Sequence, residues 1–364
     1  LFGLTAEESL IRAVTVTVIS CPCTLGIAIP MARVAGISLA GRKGILVRDF
    51  TSFEQADKVN SFVLDKTGTV TKGQWSLLEV IPVGSLSMNE ILAMAASLEK
   101  ESEHVVAAEI MREAAKQRAE LVTLEEVEVF EHGISAVWNG ERVKIGSRGF
   151  LAAEIAASSE LPLPQDKPQH SLVYLSFADQ ISAILVFGDE IKSTSPQAVE
   201  SLRQAGFQLS LISGDDDSTT KSIAGEVGID KALGGKLPQE KATYISALQE
   251  QGLQVAMVGD GINDAPALVQ ADLAIAVYSG SNLGKEAADL TLMRGDPLQI
   301  CDFIELSRKI KSKVHQNLGC SFIYNLVSIP IAMSGLLTPL IAVSAMLLSS
   351  LSVIGNTLLL LRSN

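Results

Sequence analysis

From Val314 to Leu361 the chain carries no Asp, Glu, Lys or Arg. A run that long has few folded destinations. A helix crosses a bilayer with about 20 apolar residues, and this run divides near Ser334 and Gly335 into two such stretches. Residues 13 to 32 form a shorter uncharged run near the other end. The pattern predicts three membrane-spanning helices. Buried core helices of a soluble protein are the competing explanation, and the length of the C-terminal run opposes it.

Basic residues orient these spans. Arg42, Lys43 and Arg48 follow the first run, and Arg308, Lys309, Lys311 and Lys313 precede the second. Positive charge collects on the cytoplasmic side, so residues from about 42 to 313 are expected in the cytoplasm. The net charge of -12 argues against nucleic acid as a partner and leaves ATP and metal ions open. Four cysteines, Cys21, Cys23, Cys301 and Cys320, are too few for a disulfide framework in 364 residues. The chain starts at Leu1 with no signal-peptide pattern, so further sequence is expected upstream.

The polar middle alternates strands and helices. "NSFVLD" (60–65), "AILVFGD" (183–189), "FQLSLISGD" (207–215), "QVAMVGDG" (254–261) and "DLAIAV" (272–277) read as strands. "SPQAVESLRQAG" (195–206) and "STTKSIAGEVG" (218–228) read as helices between them. Such alternation predicts a parallel sheet covered on both faces. Ligands of such sheets sit at the carboxyl ends of strands. Asp65, Asp189, Asp215 and Asp260 are each expected at one. Residues from about 74 to 182 break the alternation with mixed helical and strand signals, so they read as an inserted domain.

A carboxylate at a strand end can attack a phosphoryl group and form an acyl phosphate. Asp65, in "DKTGT" (65–69), is the candidate. Phosphoryl transfer needs positioning and charge neutralisation more than further covalent chemistry. Asp260 in "VGDGINDAP" is expected to hold Mg²⁺ together with Asp65, and Lys241 in "LPQEK" to pair with phosphoryl oxygens. Ser213 and the Gly214 amide are expected to donate to those oxygens, with Asp215 beside them. Many phosphatases of this sheet type carry a second Asp two positions after the nucleophile. Thr67 stands there and has no proton chemistry near neutral pH, so the acyl phosphate is expected to persist.

"DKTGTVT" together with "GDGINDAPAL" resembles the P-type ATPases of the haloacid dehalogenase superfamily. The resemblance covers nearly the whole chain. It implies an α/β haloacid dehalogenase-like phosphorylation domain (42–73 and 183–313) split by an inserted α+β nucleotide-binding domain (74–182). Transmembrane α-helices are implied at 1–41 and 314–364. It adds Asp189, Lys192, Asn263 and Asp264 to the phosphorylation domain, the last two supporting Mg²⁺. "SEHVVAAEI" resembles the Ser-Glu-His-Pro segment of the heavy-metal class, which implies Glu103 and His104 at the adenine, with Val105 in place of the proline. "EHGISAVWNG" resembles the nucleotide loop, with Gly133 matching its second glycine, Glu131 replacing the first, and Gly146 further on.

In "VISCPCTLGIAIP" two thiols flank Pro22. Residues two apart on a helix point about 200° apart, and proline removes a backbone donor. Irregular backbone at membrane depth is tolerated where it lines a cavity, so a transport-site wall is expected. Kinked packing with two inert thiols is the alternative. Thiolates are soft ligands that suit Cu(I), Zn or Fe–S centres. Met346, Ser349 and Ser350 share a helix face at spacings of three and four. Adding a thioether favours a soft monovalent ion, and the spans hold no carboxylate for a divalent one.

Cys-Pro-Cys, Tyr324-Asn325-x4-Pro and Met346-x-x-Ser349-Ser350 together resemble the copper(I)/silver(I) group of these ATPases. The resemblance implies ATP-driven export of Cu(I) or Ag(I) through an aspartyl phosphate, with Cys21, Cys23, Tyr324, Asn325, Met346 and Ser349 along the ion's route. The lipid bilayer and a copper chaperone are the implied partners. A Zn²⁺/Cd²⁺ pump, a non-transporting membrane fragment and a soluble phosphatase are the alternatives. The family's Thr-Gly-Glu actuator segment does not occur in this sequence, so the chain is expected to be the C-terminal part of a pump.

Overall fold

A computed structural model of the chain describes residues 5–20, 23–100, 102, 105–157, 170–260, 264–278 and 288–362. In chain order it begins with α1 (Ala6–Ile19), α2 (Cys23–Arg42), β1 (Ile45–Val47), α3 (Thr51–Lys58), β2 (Ser61–Asp65) and β3 (Thr71–Pro82). There follow α4 (Met88–Leu98), α5 (Val105–Gln117), β4 (Glu125–Phe130), β5 (Gly133–Trp138), β6 (Glu141–Gly146), α6 (Ala152–Ala157), β7 (Ser171–Phe177) and β8 (Gln180–Ile191). Next come α7 (Ser195–Gln204), β9 (Gln208–Ile212), α8 (Asp217–Val227), β10 (Lys231–Leu233), α9 (Pro238–Glu250) and β11 (Val255–Gly259). The described chain closes with α10 (Ala265–Gln270), β12 (Leu273–Val277), β13 (Leu290–Leu292), α11 (Leu298–Ser334) and α12 (Pro339–Arg362). These elements form two compact units, one of residues 1–62, 204–207 and 242–364, the other of 63–203 and 208–241.

In the first unit α1, α2, α11 and α12 pack together. Thr5 starts α1 with a capping box: its hydroxyl accepts from the Glu8 amide at 3.2 Å, and Glu8 accepts from the Thr5 amide at 2.8 Å. Residues 13–32 take in the end of α1, which closes at Ile19, and the start of α2, which opens at Cys23, on either side of the proline at 22, which lies outside the described residues.

Two described helices, α11 and α12, are long and apolar enough to cross a membrane. Their outer faces are apolar: Phe322 is 69% exposed, Leu340 77% and Leu348 66%. A core helix of a soluble protein would bury such side chains. Ile19, Ala332 and Ala342 fill the interior between the helices. α11 ends at Gly335, whose left-handed φ of 83° suits glycine.

Lipid supplies no hydrogen bonds, so polar groups there must satisfy one another. Asn317 donates to the Thr357 hydroxyl at 2.9 Å and accepts from the Asn356 amide at 2.7 Å. Lys313 Nζ closes the set on Asn356 Oδ1 at 2.8 Å. This clamp joins α11 to α12.

Also in the first unit, β11 runs parallel to β12 and β12 to β13, and β1 closes the edge antiparallel to β13. The first residues of β2, Ser61 and Phe62, belong here as well. In the second unit the rest of β2 is followed by β9 and then β10, the latter two parallel. A six-stranded sheet, ordered β3-β8-β7-β6-β5-β4, carries α4 and α5, with Ile91, Met94, Ile110, Ile145 and Phe187 in its core.

That sheet corrects one expectation. "AILVFGD" was read as a strand of the parallel sheet, but β8 pairs antiparallel with β3 and β7. An apolar run does not reveal its partners, and β8 is drawn into a hairpin by the turn at Ala178–Asp179, both at positive φ. β3 and β8 also run through residues 73–74 and 182–183, so strands cross the expected domain boundaries.

Replacing Asn317 by Ala and Thr357 by Val, singly and together, tests the clamp. The double-mutant cycle in thermal unfolding should show a coupling of about 0.6–1.7 kcal/mol, the range for hydrogen bonds between membrane helices. Strict additivity would show that the contact carries no stability.

Candidate active site

β2 is buried along its whole length, and Phe62, Val63 and Leu64 are at most 3% exposed. Asp65 ends the strand with only 4% exposure. The chain then turns through Thr67 and Gly68, with Gly68 at φ 72°. A side chain on Gly73 would strike the Gly68 nitrogen at 2.9 Å, so two glycines meet in this turn. Lys192 Nζ donates to the Gly68 carbonyl at 2.5 Å, and Ser195 Oγ to the Val70 carbonyl at 2.6 Å. Both tie the turn to the segment that follows β8.

α9 begins after Leu237, whose amide donates to Glu240 at 2.8 Å. Its first turn buries Lys241, and Lys241 Nζ donates to Asp65 Oδ1 at 2.6 Å. Both side chains are 6% exposed. An unpaired charge at that depth would cost several kcal/mol, so neither side chain is left without its partner.

A second buried cation lies alongside. Lys66 Nζ sits 2.5 Å from Asp215 and 3.6 Å from Asp189. Asp189 is oriented by the Thr71 hydroxyl at 2.5 Å and the Gly73 amide at 2.8 Å. Ser213 is buried, and its Oγ accepts from the Asp215 amide at 3.1 Å. Gly214 and Thr67 are exposed. Next in sequence, Asp216 caps α8; the Ser218 and Thr219 hydroxyls and the Thr219 amide hold its carboxyl far below the usual range. Lys66, Thr67, Asp189, Asp215, Trp75 and His170 line a cavity of about 510 Å³.

The structure thus joins Asp65 to Lys241, and Lys66 to Asp189 and Asp215. Lys66, Thr71 and Thr69 were missed by sequence reasoning. Thr69 Oγ is buried with no hydrogen-bond partner, a rare state for a native hydroxyl. Its place inside "DKTGT" was the available signal. Asp189 sits within an antiparallel strand, not at the end of a parallel one.

Away from this cluster, Gly133 and Gly146 are directly opposite in the β5–β6 pair. A side chain on Gly133 would come within 2.2 Å of Phe150 Cδ1, and one on Gly146 within 2.5 Å of the His132 carbonyl. Their bareness lets Phe150 close over the strands. Phe130, His132, Gly133, Gly146, Val106 and Val173 line a cavity of about 300 Å³. Glu131 is exposed at its rim. Glu103 and His104 lie outside the described residues.

In the first unit Asp260 follows β11, and Asp264, 1% exposed, begins α10. A side chain on Gly259 would meet Asp264 Oδ2 at 2.4 Å, so the glycine makes room for that carboxylate. Asn263 lies outside the described residues, as does Cys21; Cys23 opens α2, with its side chain outside the description. On α11 Tyr324 and Asn325 are half-buried while Phe322, Ile323, Leu326 and Val327 are exposed. On α12 Met346 and Ser350 are half-buried and Ser349 is buried, while Leu347 and Leu348 are exposed. Ser350 Oγ donates to the Met346 carbonyl at 3.1 Å.

Residues 59–272, which include Asp65, Lys241 and Asp264, match the haloacid dehalogenase-like hydrolase family. The chain belongs to that family. Within it, the chain is 37% identical over 97% of its length to a copper-exporting P-type ATPase of Legionella pneumophila, of which it covers 49%. It is 38% identical, again over 97%, to a copper-exporting P-type ATPase of Staphylococcus epidermidis, of which it covers 44%. The chain spans about half the length of these relatives. A crystal structure of a zinc-transporting PIB-type ATPase in the E2·Pi state matches with a TM-score of 0.82 and 30% identity, over all of this chain and 60% of that one. This haloacid dehalogenase-like chain carries, among its described residues, two helices long and apolar enough to cross a membrane.

Lys241→Met should destabilise the second unit by roughly 3–5 kcal/mol in denaturant titration, since it strands a buried carboxylate. Adding Asp65→Asn should recover part of that loss, because the pair is then gone from both sides. Simple additivity would argue against direct coupling.

Proposed function

We propose that the chain is the catalytic and ion-path portion of an ATP-driven Cu(I) exporter that works through an aspartyl phosphate. The observation that carries this reading is Asp65, buried at a strand end with Lys241 Nζ 2.6 Å from its Oδ1. Asp65 would attack the γ-phosphorus of ATP. The bond to the β,γ-bridging oxygen breaks and ADP departs with its electron pair. Lys241 then exchanges its carboxylate partner for phosphoryl oxygens, and Ser213 and the Gly214 amide serve as further donors. Thr67, exposed and without acid–base chemistry near neutral pH, leaves the acyl phosphate intact long enough to drive a conformational change.

The oxygen donors suit Mg²⁺, which takes one or two carboxylates with substrate oxygens. The buried unsatisfied hydroxyl of Thr69 supports a polar ligand beside the turn that follows Asp65. Asp65 and Asp260 would hold the ion, supported by Asn263 and Asp264. When bound it neutralises charge on the transferring phosphoryl group. ATP would place its adenine in the Gly133–Gly146 cavity, near Glu103 and His104.

Cu(I) is the cargo that the soft donors favour: Cys21 and Cys23 with Met346, aided by Tyr324, Asn325 and Ser349. The inward faces of α11 and α12 support this set, and so does the similarity to copper-exporting ATPases. A copper chaperone is the partner class such an exporter needs. The zinc-transporting structural neighbour favours a second reading, a Zn²⁺ or Cd²⁺ pump.

Asp65→Asn should abolish acid-stable labelling from γ-labelled ATP. Cys21→Ser with Cys23→Ser should lose Cu(I)-dependent labelling while ATP binding persists. Labelling of the Asp65→Asn variant would overturn the nucleophile, and stimulation by Zn²⁺ but not Cu(I) would move the assignment to the second reading.

A further inference from the structure

α2, α3 and α11 enclose a cavity of about 360 Å³ that neither the phosphoryl chemistry nor the ion route uses. Its walls come from two chemistries. Ile29, Phe53, Ile310 and Val314 form an apolar side. Arg33, Lys58, Lys311, Glu54, Asp57 and His315 supply the polar side.

The order of these residues along the two long helices is informative. On α2 the uncharged run ends at Ala32 and Arg33 follows; Ile29 lies one turn inside it. On α11 the run begins at Val314, directly after Lys311 and Lys313. On both helices the cavity therefore lies where the uncharged run meets charged residues, with its apolar wall toward the uncharged side. Close packing holds the helices there: a side chain on Gly36 would strike Ile310 Cδ1 at 2.6 Å.

The charges can be paired off. Glu54 lies 3.9 Å from Arg33, and Asp57 lies 2.5 Å from Lys311. Arg33 also stacks over the Phe50 ring, 5.0 Å from its centroid, which fixes the guanidinium. His315 Nδ1 meets the Lys311 carbonyl at 2.8 Å within its own helix. Lys58 has no acidic partner among the described residues. The lining thus carries one cation in excess.

We propose that this cavity binds one anionic glycerophospholipid of the cytoplasmic leaflet. The phosphodiester, with a single negative charge, matches the excess cation at Lys58 in a lining that also holds Arg33. One acyl chain would follow Ile29 and Val314 into the hydrocarbon. Basic pockets between membrane helices on this side are suited to lipid headgroups. The apolar wall, continuous with the uncharged runs, selects a lipid over free phosphate.

The test is native mass spectrometry of the purified full chain, released from micelles holding equal phosphatidylglycerol and phosphatidylcholine with identical acyl chains. One phosphatidylglycerol should be retained about fivefold over phosphatidylcholine, the discrimination one interfacial cation supplies. Lys58→Gln should bring retention to parity, and Ile29→Trp, filling the apolar wall, should lose both lipids while thermal unfolding stays unchanged. Excess inorganic phosphate should displace nothing. Equal retention by the unsubstituted chain, an unchanged preference in Lys58→Gln, retention by Ile29→Trp, or displacement by inorganic phosphate would each overturn the proposal.

Discussion

The second unit is organised around one expensive contact, the ion pair of Asp65 with Lys241. Both side chains are almost fully enclosed. Taking two charges out of water is repaid only by close geometry and further hydrogen bonds. That demand explains the surroundings. The apolar residues of β2 set the depth of Asp65. The turn after it needs glycine at 68 and bare space at 73, and Lys192 and Ser195 tie that turn down. α9 starts where it does so that its first turn presents Lys241.

The neighbouring set repeats the arrangement with the roles reversed. Here a buried lysine, Lys66, is surrounded by two carboxylates, Asp189 and Asp215. Thr71 and Gly73 hold Asp189 from the other side. Two lysines and three aspartates near one strand end form a nearly balanced set of charges. In the membrane helices the same economy governs without full charges: Asn317, Asn356 and Thr357 satisfy one another because hydrocarbon cannot.

Much of this was legible in residue order. An apolar pentapeptide ending in an acid placed Asp65 at a buried strand end. The uncharged run announced α11 and α12, and the repeating strand–helix pattern announced β9, β11 and β12, while the short β10 was not read. Other features were not legible. The 183–189 segment has the same apolar run as the parallel strands, yet it pairs antiparallel with β3 and β7. Pro22 marked a break within residues 13–32, where α1 closes at Ile19 and α2 opens at Cys23. Lys66 was not singled out, because its partners at 189 and 215 are distant in sequence.

By itself the sequence determined which segments must be helix or strand, which must avoid water, and which carry charge. These are local properties, set by periodicity, proline and glycine positions, and the absence of ionisable groups over long runs. Only the tertiary structure decided which acid meets which lysine, which sheet β8 joins, and where α2, α3 and α11 leave a charged-rimmed cavity. Those outcomes depend on contacts between residues more than a hundred positions apart, and side-chain type alone does not select among the available partners.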